Sequence, residues 1–223
     1  MIDDSIQDVR RIIRSARRSV RGLVWTALYP LVTDMWWNCK VPKVYQAWAD
    51  ATDDHSVLID IFRRYGIATV LDIGCGAGRL FPLYAAHGIA AVGTDISARA
   101  LAIARARVGT IPTIRASLVS VRSEALPRVD LVVSNRVLQH IPRRYVGRVV
   151  ATIAHVTDLI YLNERTPDEG RPERTETGFL LCHDYTHLFA AHGFRRCEDG
   201  NIGGQKWILL SRPSVKADSK RGS

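Results

Sequence analysis

One nine-residue run constrains this chain more than any other: Val70-Leu71-Asp72-Ile73-Gly74-Cys75-Gly76-Ala77-Gly78. Its apolar first half suits a buried strand. Its three glycines suit a turn that opens a helix and lets a ligand approach the backbone, since no β-carbon stands in the way. Open α/β sheets bind ligands at the carboxyl ends of their strands, where such a turn would lie. From Ile67 onward, short apolar, β-branched runs alternate with helical patterns, which predicts a mostly parallel sheet with helices on both faces. The expected strands are Thr69–Ile73, Ala90–Thr94, Thr113–Ala116, Val129–Ser134, Leu159–Leu162, Phe194–Cys197 and Lys206–Ser211. The expected helices lie near Gly78–Ala86, Ala98–Val108, Pro142–His155 and Asp184–Ala191, with Gly88 and Gly193 placed to stop the first and last. Only Glu198 to Gln205 separates the last two strands, so they should form an antiparallel hairpin at a sheet edge.

The glycine turn alone does not select a ligand. Asp95 closes the second strand about twenty residues on, where a carboxylate can accept hydrogen bonds from both ribose hydroxyls. A dinucleotide fingerprint starting at Gly74 would need a glycine at position 79, where Arg79 stands, so the pyrophosphate crossing is lost. Asp72 adds a carboxylate facing the ligand, which suits a cationic amino-acid end better than a phosphate.

With these residues in place, Val70 to Gly78, Asp95 and the Val129–Pro142 stretch resemble the class I, Rossmann-like S-adenosylmethionine-dependent methyltransferases, over about residues 55–211. The resemblance implies seven strands with the last antiparallel. It implies cofactor contacts from Asp72, Gly74, Cys75, Gly76, Gly78 and Asn135, with Asp95 at the ribose and Ile96 beside the adenine. In this family an acidic residue often ends the third strand; here Ala116-Ser117-Leu118 stands there, leaving Ser117 to face the adenine.

The acceptor should sit beside the loop Asn135-Arg136-Val137-Leu138-Gln139-His140-Ile141-Pro142. An Asn/Asp-Pro-Pro-aromatic run, the mark of enzymes that methylate amino groups of bases, is absent, as is the Pro-Cys pair of covalent cytosine chemistry. Methylating an alcohol requires removing its proton, for which neutral imidazole is the common base, and His140 is the candidate. In the resembling family this histidine is sometimes catalytic and sometimes only packs beside the cofactor, and Gln139 is an alternative cofactor contact. Glu164, Asp184 and Tyr185 are candidate acceptor ligands, and the two carboxylates leave open a divalent cation such as magnesium. Asp184 has an equally simple reading as a helix N-cap. Residues 166–178 read as a polar substrate loop. The expected reaction is O-methylation of a sugar or natural-product intermediate; N- or C-methylation of a metabolite and a cofactor-binding scaffold are the rivals.

The net charge of +9 raises a nucleic-acid reading, but residues 1–24 and 211–223 supply +3 each, so the body is nearly balanced and no specific nucleic-acid partner is expected. Ile2, Ile6, Val9, Ile13, Ala16, Val20, Leu23 and Ala27 recur at helical spacing. This helix and the tryptophan-rich stretch to residue 54 form an expected cap; the helix packs over the body as a lid, pairs with a second copy as a homodimer, or lies on an anionic membrane surface, the first two being the simpler readings. Residues 212–223 read as a frayed basic tail. No apolar run is long enough for a transmembrane span, and four dispersed cysteines fit a reducing, cytoplasmic setting.

Overall fold

The computed structural model describes residues 28–29, 33–39, 55–167, 181–202 and 205–215. The expected amphipathic helix over the first 27 residues, nearly all of the polar loop and the last eight residues lie outside the described residues.

Seven strands form one sheet in the order β3-β2-β1-β4-β5-β7-β6. They are β1 (Thr69–Ile73), β2 (Ala90–Asp95), β3 (Thr113–Arg115), β4 (Leu131–Asn135), β5 (Leu159–Asn163), β6 (Arg195–Ile202) and β7 (Gln205–Ser211). The first five are parallel neighbours, while β7 runs antiparallel to both β5 and β6. The hairpin is thus present, but β7 inserts inside the sheet and only β6 occupies the edge. The helices are α1 (Ser56–Arg64), α2 (Phe81–Ala86), α3 (Ala98–Arg107), α4 (Arg143–Val156) and α5 (Tyr185–Ala190).

Alternation along the strands builds two cores. Val70, Leu131, Val133, Leu159 and Tyr161 pack on one face with Leu58, Ile61 and Phe62 of α1, Phe81 and Tyr84 of α2, and Leu101 of α3. Leu71, Ile73, Val132, Ile160 and Leu162 pack on the other with Val149 and Ile153 of α4 and Tyr185 and Phe189 of α5. Burial on both faces explains why these strands are nearly continuous apolar runs.

Three boundaries differ from expectation. α2 begins at Phe81 rather than Gly78, because Gly76 and Gly78 adopt φ of 54° and 73°, which no α-helix accommodates, and Pro82 opens the helix instead. β6 runs through the polar stretch to Ile202, because pairing with β7 and a bidentate ion pair from Arg64 to Glu198 (2.7 and 2.8 Å) hold an edge strand whose side chains are mostly exposed. Past Ser211, Arg212 is tied to the Asp158 carboxylate and to the carbonyls of Ala154 (2.8 Å) and His192 (3.2 Å), so the folded body continues to Val215. Among the described residues no helix is long and apolar enough to cross a membrane.

Candidate active site

The carboxyl ends of β1, β2 and β4 meet at the glycine turn. Gly74 and Gly76 have φ of 63° and 54°, a left-handed conformation that costs an L-residue about 1–2 kcal/mol. A β-carbon on Gly74 would lie 2.4 Å from Val137 Cγ2, so glycine is required there on steric grounds as well. Asp95, at the end of β2, is buried and binds the turn directly: its Oδ2 accepts from Gly76 N–H (3.0 Å) and its Oδ1 from Ser97 N–H (2.8 Å). Each carboxylate oxygen has two lone pairs, so both keep capacity for a ligand hydroxyl. Asp72 lies buried in β1, and burial pushes its carboxyl up to about 7, against the pull of the Tyr84 hydroxyl and Arg79 guanidinium.

These ends open on a cavity of about 360 Å³. Gly74, Cys75, Gly76, Asp95, Ile96, Ser117, Asn135 and His140 all line it, so eight of the expected site residues are brought together. Two buried wall atoms, Thr94 Oγ1 and Asn135 Oδ1, have no hydrogen-bond partner among the described residues. Orphaned buried polar atoms are rare unless a ligand or water completes them, and a nucleoside with an amino-acid end offers suitable hydroxyl and ammonium donors. The residues present therefore fit such a cofactor. The helical residues 33–39 roof the cavity with Thr33 and Trp37. They are fastened to the β2–α3 loop by Asn38 Oδ1, which accepts from Ser97 Oγ (3.0 Å) and Arg99 N–H (3.3 Å), and to β3 by the Asp34–Arg115 ion pair (2.6 Å).

Residues 71–160, which hold the turn and most of this wall, match the protein-family model described as a methyltransferase domain. Over these residues the chain is similar to that methyltransferase domain. Solved structures share the fold. The 1,6-didemethyltoxoflavin-N1-methyltransferase of Burkholderia thailandensis, with didemethyltoxoflavin and S-adenosylhomocysteine bound, superposes with a TM-score of 0.67 at 16% identity, over 84% of this chain and 89% of that one. The magnesium protoporphyrin IX methyltransferase of Synechocystis with bound S-adenosylmethionine gives 0.56 at 18% identity, over 87% and 96%. An amino pentose methyltransferase of calicheamicin biosynthesis from Micromonospora echinaspora gives 0.63 at 17% identity, over 76% and 97%. No curated protein matches the chain as a relative.

Two expected cofactor residues stand behind the cavity wall. Asp72 lies beneath the turn. Gly78 serves packing, since a β-carbon there would meet Phe81 at 2.8 Å and Ala104 at 3.0 Å. The three expected acceptor ligands have other work. Glu164 is buried, and its Oε1 accepts from Ser134 Oγ (2.7 Å), Val137 N–H (2.8 Å) and Leu138 N–H (3.1 Å), while Oε2 accepts from Gln139 N–H (3.1 Å). These bonds shape the His140 loop. Asp184 caps α5, accepting from His187 N–H (2.9 Å). Tyr185 is wholly buried in the core beneath α5. Among the described residues no group of His, Cys, Asp and Glu is arranged to hold a metal ion.

His140 ends a short 3-10 turn (Leu138–His140), half-buried, with its ring edge-on to Trp37 at 5.0 Å between centroids. Gln139 lines the cavity and its Oε1 accepts from Arg165 N–H (3.3 Å). Tyr29, Trp37, Arg79, Arg136 and Arg165 also line the wall. Arg136 lies in the expected acceptor loop, Arg165 in the polar run after β5 and Tyr29 and Trp37 in the expected cap, but none of them was singled out as a site residue, because which side chains reach the cavity depends on chain packing that spacing does not reveal.

Proposed function

We propose that this chain transfers a methyl group from S-adenosylmethionine to a hydroxyl of a small polar acceptor, a sugar or natural-product intermediate. The observation that carries this reading is the convergence of Asp95, the left-handed glycine turn and His140 on one cavity inside a methyltransferase domain. The bound cofactor would supply an electrophilic methyl on a sulfonium sulfur. The free lone pairs of Asp95 are suited to the ribose hydroxyls, Ile96 and Ser117 flank the adenine, and Gly74 and Gly76 let the amino-acid end approach the backbone. Asn135 Oδ1 is an acceptor for the ammonium, supported from beneath by Asp72, and Arg79 offers a charge-matched partner for the carboxylate.

On the acceptor side, neutral His140 takes the hydroxyl proton as the oxygen attacks. Trp37 and Tyr29 supply an apolar wall that keeps water away from the reacting atoms. N-methylation is the second reading, because an amine attacks without a base and one neighbour in fold is an N1-methyltransferase.

Calorimetric titration with S-adenosylhomocysteine tests the cofactor, with NAD as control and Asp95→Asn as the variant. Stoichiometric binding that weakens about tenfold or more in the variant is expected; no binding, or preference for NAD, overturns the reading. With an acceptor in hand, His140→Gln should lower turnover by about 10²–10⁴-fold for an alcohol. Unchanged turnover would favour the amine.

A further inference from the structure

The cavity wall carries three arginines, Arg79, Arg136 and Arg165, against one carboxylate, Asp95, whose oxygens already hold two backbone N–H groups. The cofactor of the preceding section, on which this inference rests, adds two cationic centres and only one carboxylate. With Arg79 assigned to that carboxylate, and Asp72 and Glu164 buried behind the wall, Arg136 and Arg165 remain as two exposed cations at the cavity's rim, positioned to meet a second ligand there.

The fold places this pair together. β4 and β5 are parallel neighbours whose last residues, Asn135 and Asn163, sit opposite each other, and each strand is followed within two residues by one of these arginines. Both exits are fixed: Arg136 N–H donates to Asn163 O (2.9 Å), Arg165 N–H donates to Gln139 Oε1 (3.3 Å), and the Glu164 carboxylate fastens the β5 end to residues 137–139. Arg136 is the one non-glycine residue with positive φ (60°) among the described residues. Such strain is retained where the surroundings impose it, often at functional sites. Several other arginines are tied to carboxylates, as Arg64 is to Glu198, Arg115 to Asp34, and Arg128 and Arg212 to Asp158, while among the described residues exposed ones such as Arg63 and Arg148 are not. Neither the Arg136 nor the Arg165 guanidinium has a partner among the described residues.

We infer that the acceptor is an anion, a hydroxylated small molecule whose carboxylate or phosphate is gripped by Arg136 and Arg165 while its hydroxyl faces His140. Guanidinium groups suit either anion through paired N–H donors.

The test is calorimetric titration of the full chain, with and without saturating S-adenosylhomocysteine, using probes matched in shape but not in charge. Para-hydroxybenzoate is paired with para-hydroxybenzamide, and a hexose phosphate with the free hexose. At least one anion should bind about tenfold or more tighter than its neutral twin, and whichever pair shows it separates carboxylate from phosphate. Arg136→Gln and Arg165→Gln should each erase that preference with thermal midpoints unchanged, Arg136→Lys should restore part of it, and Arg148→Gln, exposed on α4, should leave it intact. No preference for the anion in either pair, or a preference that survives both glutamine variants, overturns the inference. A chain that prefers the anions but does not bind S-adenosylhomocysteine would instead overturn the cofactor reading, so the two failures are separable.

Discussion

At the scale of single residues, the site depends on two groups that touch no acceptor. Gly74 meets a conformational and a steric requirement at once, and the two can be separated by mutation. Gly74→Ala should abolish measurable S-adenosylhomocysteine binding and cost about 2–4 kcal/mol of stability, from the left-handed φ and the contact with Val137. Adding Val137→Ala should return only the steric share, leaving about 1–2 kcal/mol, which denaturant unfolding of the single and double variants would show. Glu164 is the second. Its four hydrogen bonds define the loop that presents His140, and Oε2 faces a peptide N–H. Glu164→Gln can retain three of those bonds but sets an amide donor against Gln139 N–H, costing about 1–2 kcal/mol; Glu164→Ala strands three buried N–H groups and should cost about 3–5 kcal/mol. Equal unfolding midpoints for the two variants would contradict this assignment.

At the scale of elements, the chain shows what can and cannot be read from sequence. β1, β4 and β5 were legible because burial on both faces makes them nearly continuous apolar runs. The polar half of β6 was not, since an edge strand exposes most of its side chains and takes its stability from β7 and from Arg64 of α1. α1 itself was missed: its apolar positions, Val57, Leu58, Ile61 and Phe62, fall in one nine-residue helix ahead of the βα alternation that guided the expectation. In the site, the glycine turn and Asp95 were legible as a local motif. The hydrogen bonds of Glu164 were not legible, because a carboxylate after a strand does not reveal that three backbone N–H groups converge on it. The roof, residues 33–39, depends on a contact between Asn38 and a loop about sixty positions away, beyond any local pattern. Asn38→Ala should loosen that roof, weakening S-adenosylhomocysteine binding about three- to tenfold while changing global stability by less than about 1 kcal/mol. Unaltered affinity in calorimetry would show that the roof plays no part in holding the nucleoside.

At the scale of the whole molecule, the buried carboxylates couple folding, cofactor binding and pH. Asp72 titrates near 7 in the fold, chiefly through burial, while Asp95 and Glu164 are raised by the same cause. In the unfolded chain such groups titrate near about 4. Between those values the folded state binds more protons than the unfolded state, so the stability that protonated Asp72 contributes is complete below about pH 4 and is lost as pH rises through about 7. A ligand ammonium reverses the preference, because it favours the ionised carboxylate. The ligand-free protein should therefore lose thermal stability from about pH 4 to pH 7, while S-adenosylhomocysteine binding tightens as pH rises to about 7, levels off above it, and releases up to one proton below that point. Calorimetry in buffers of different ionisation enthalpy measures that proton directly. Asp72→Asn, which cannot ionise, should flatten both profiles and weaken binding at high pH only; an affinity in the unmodified chain that is independent of pH would mean that the ammonium lies out of reach of Asp72 and is held by Asn135 instead.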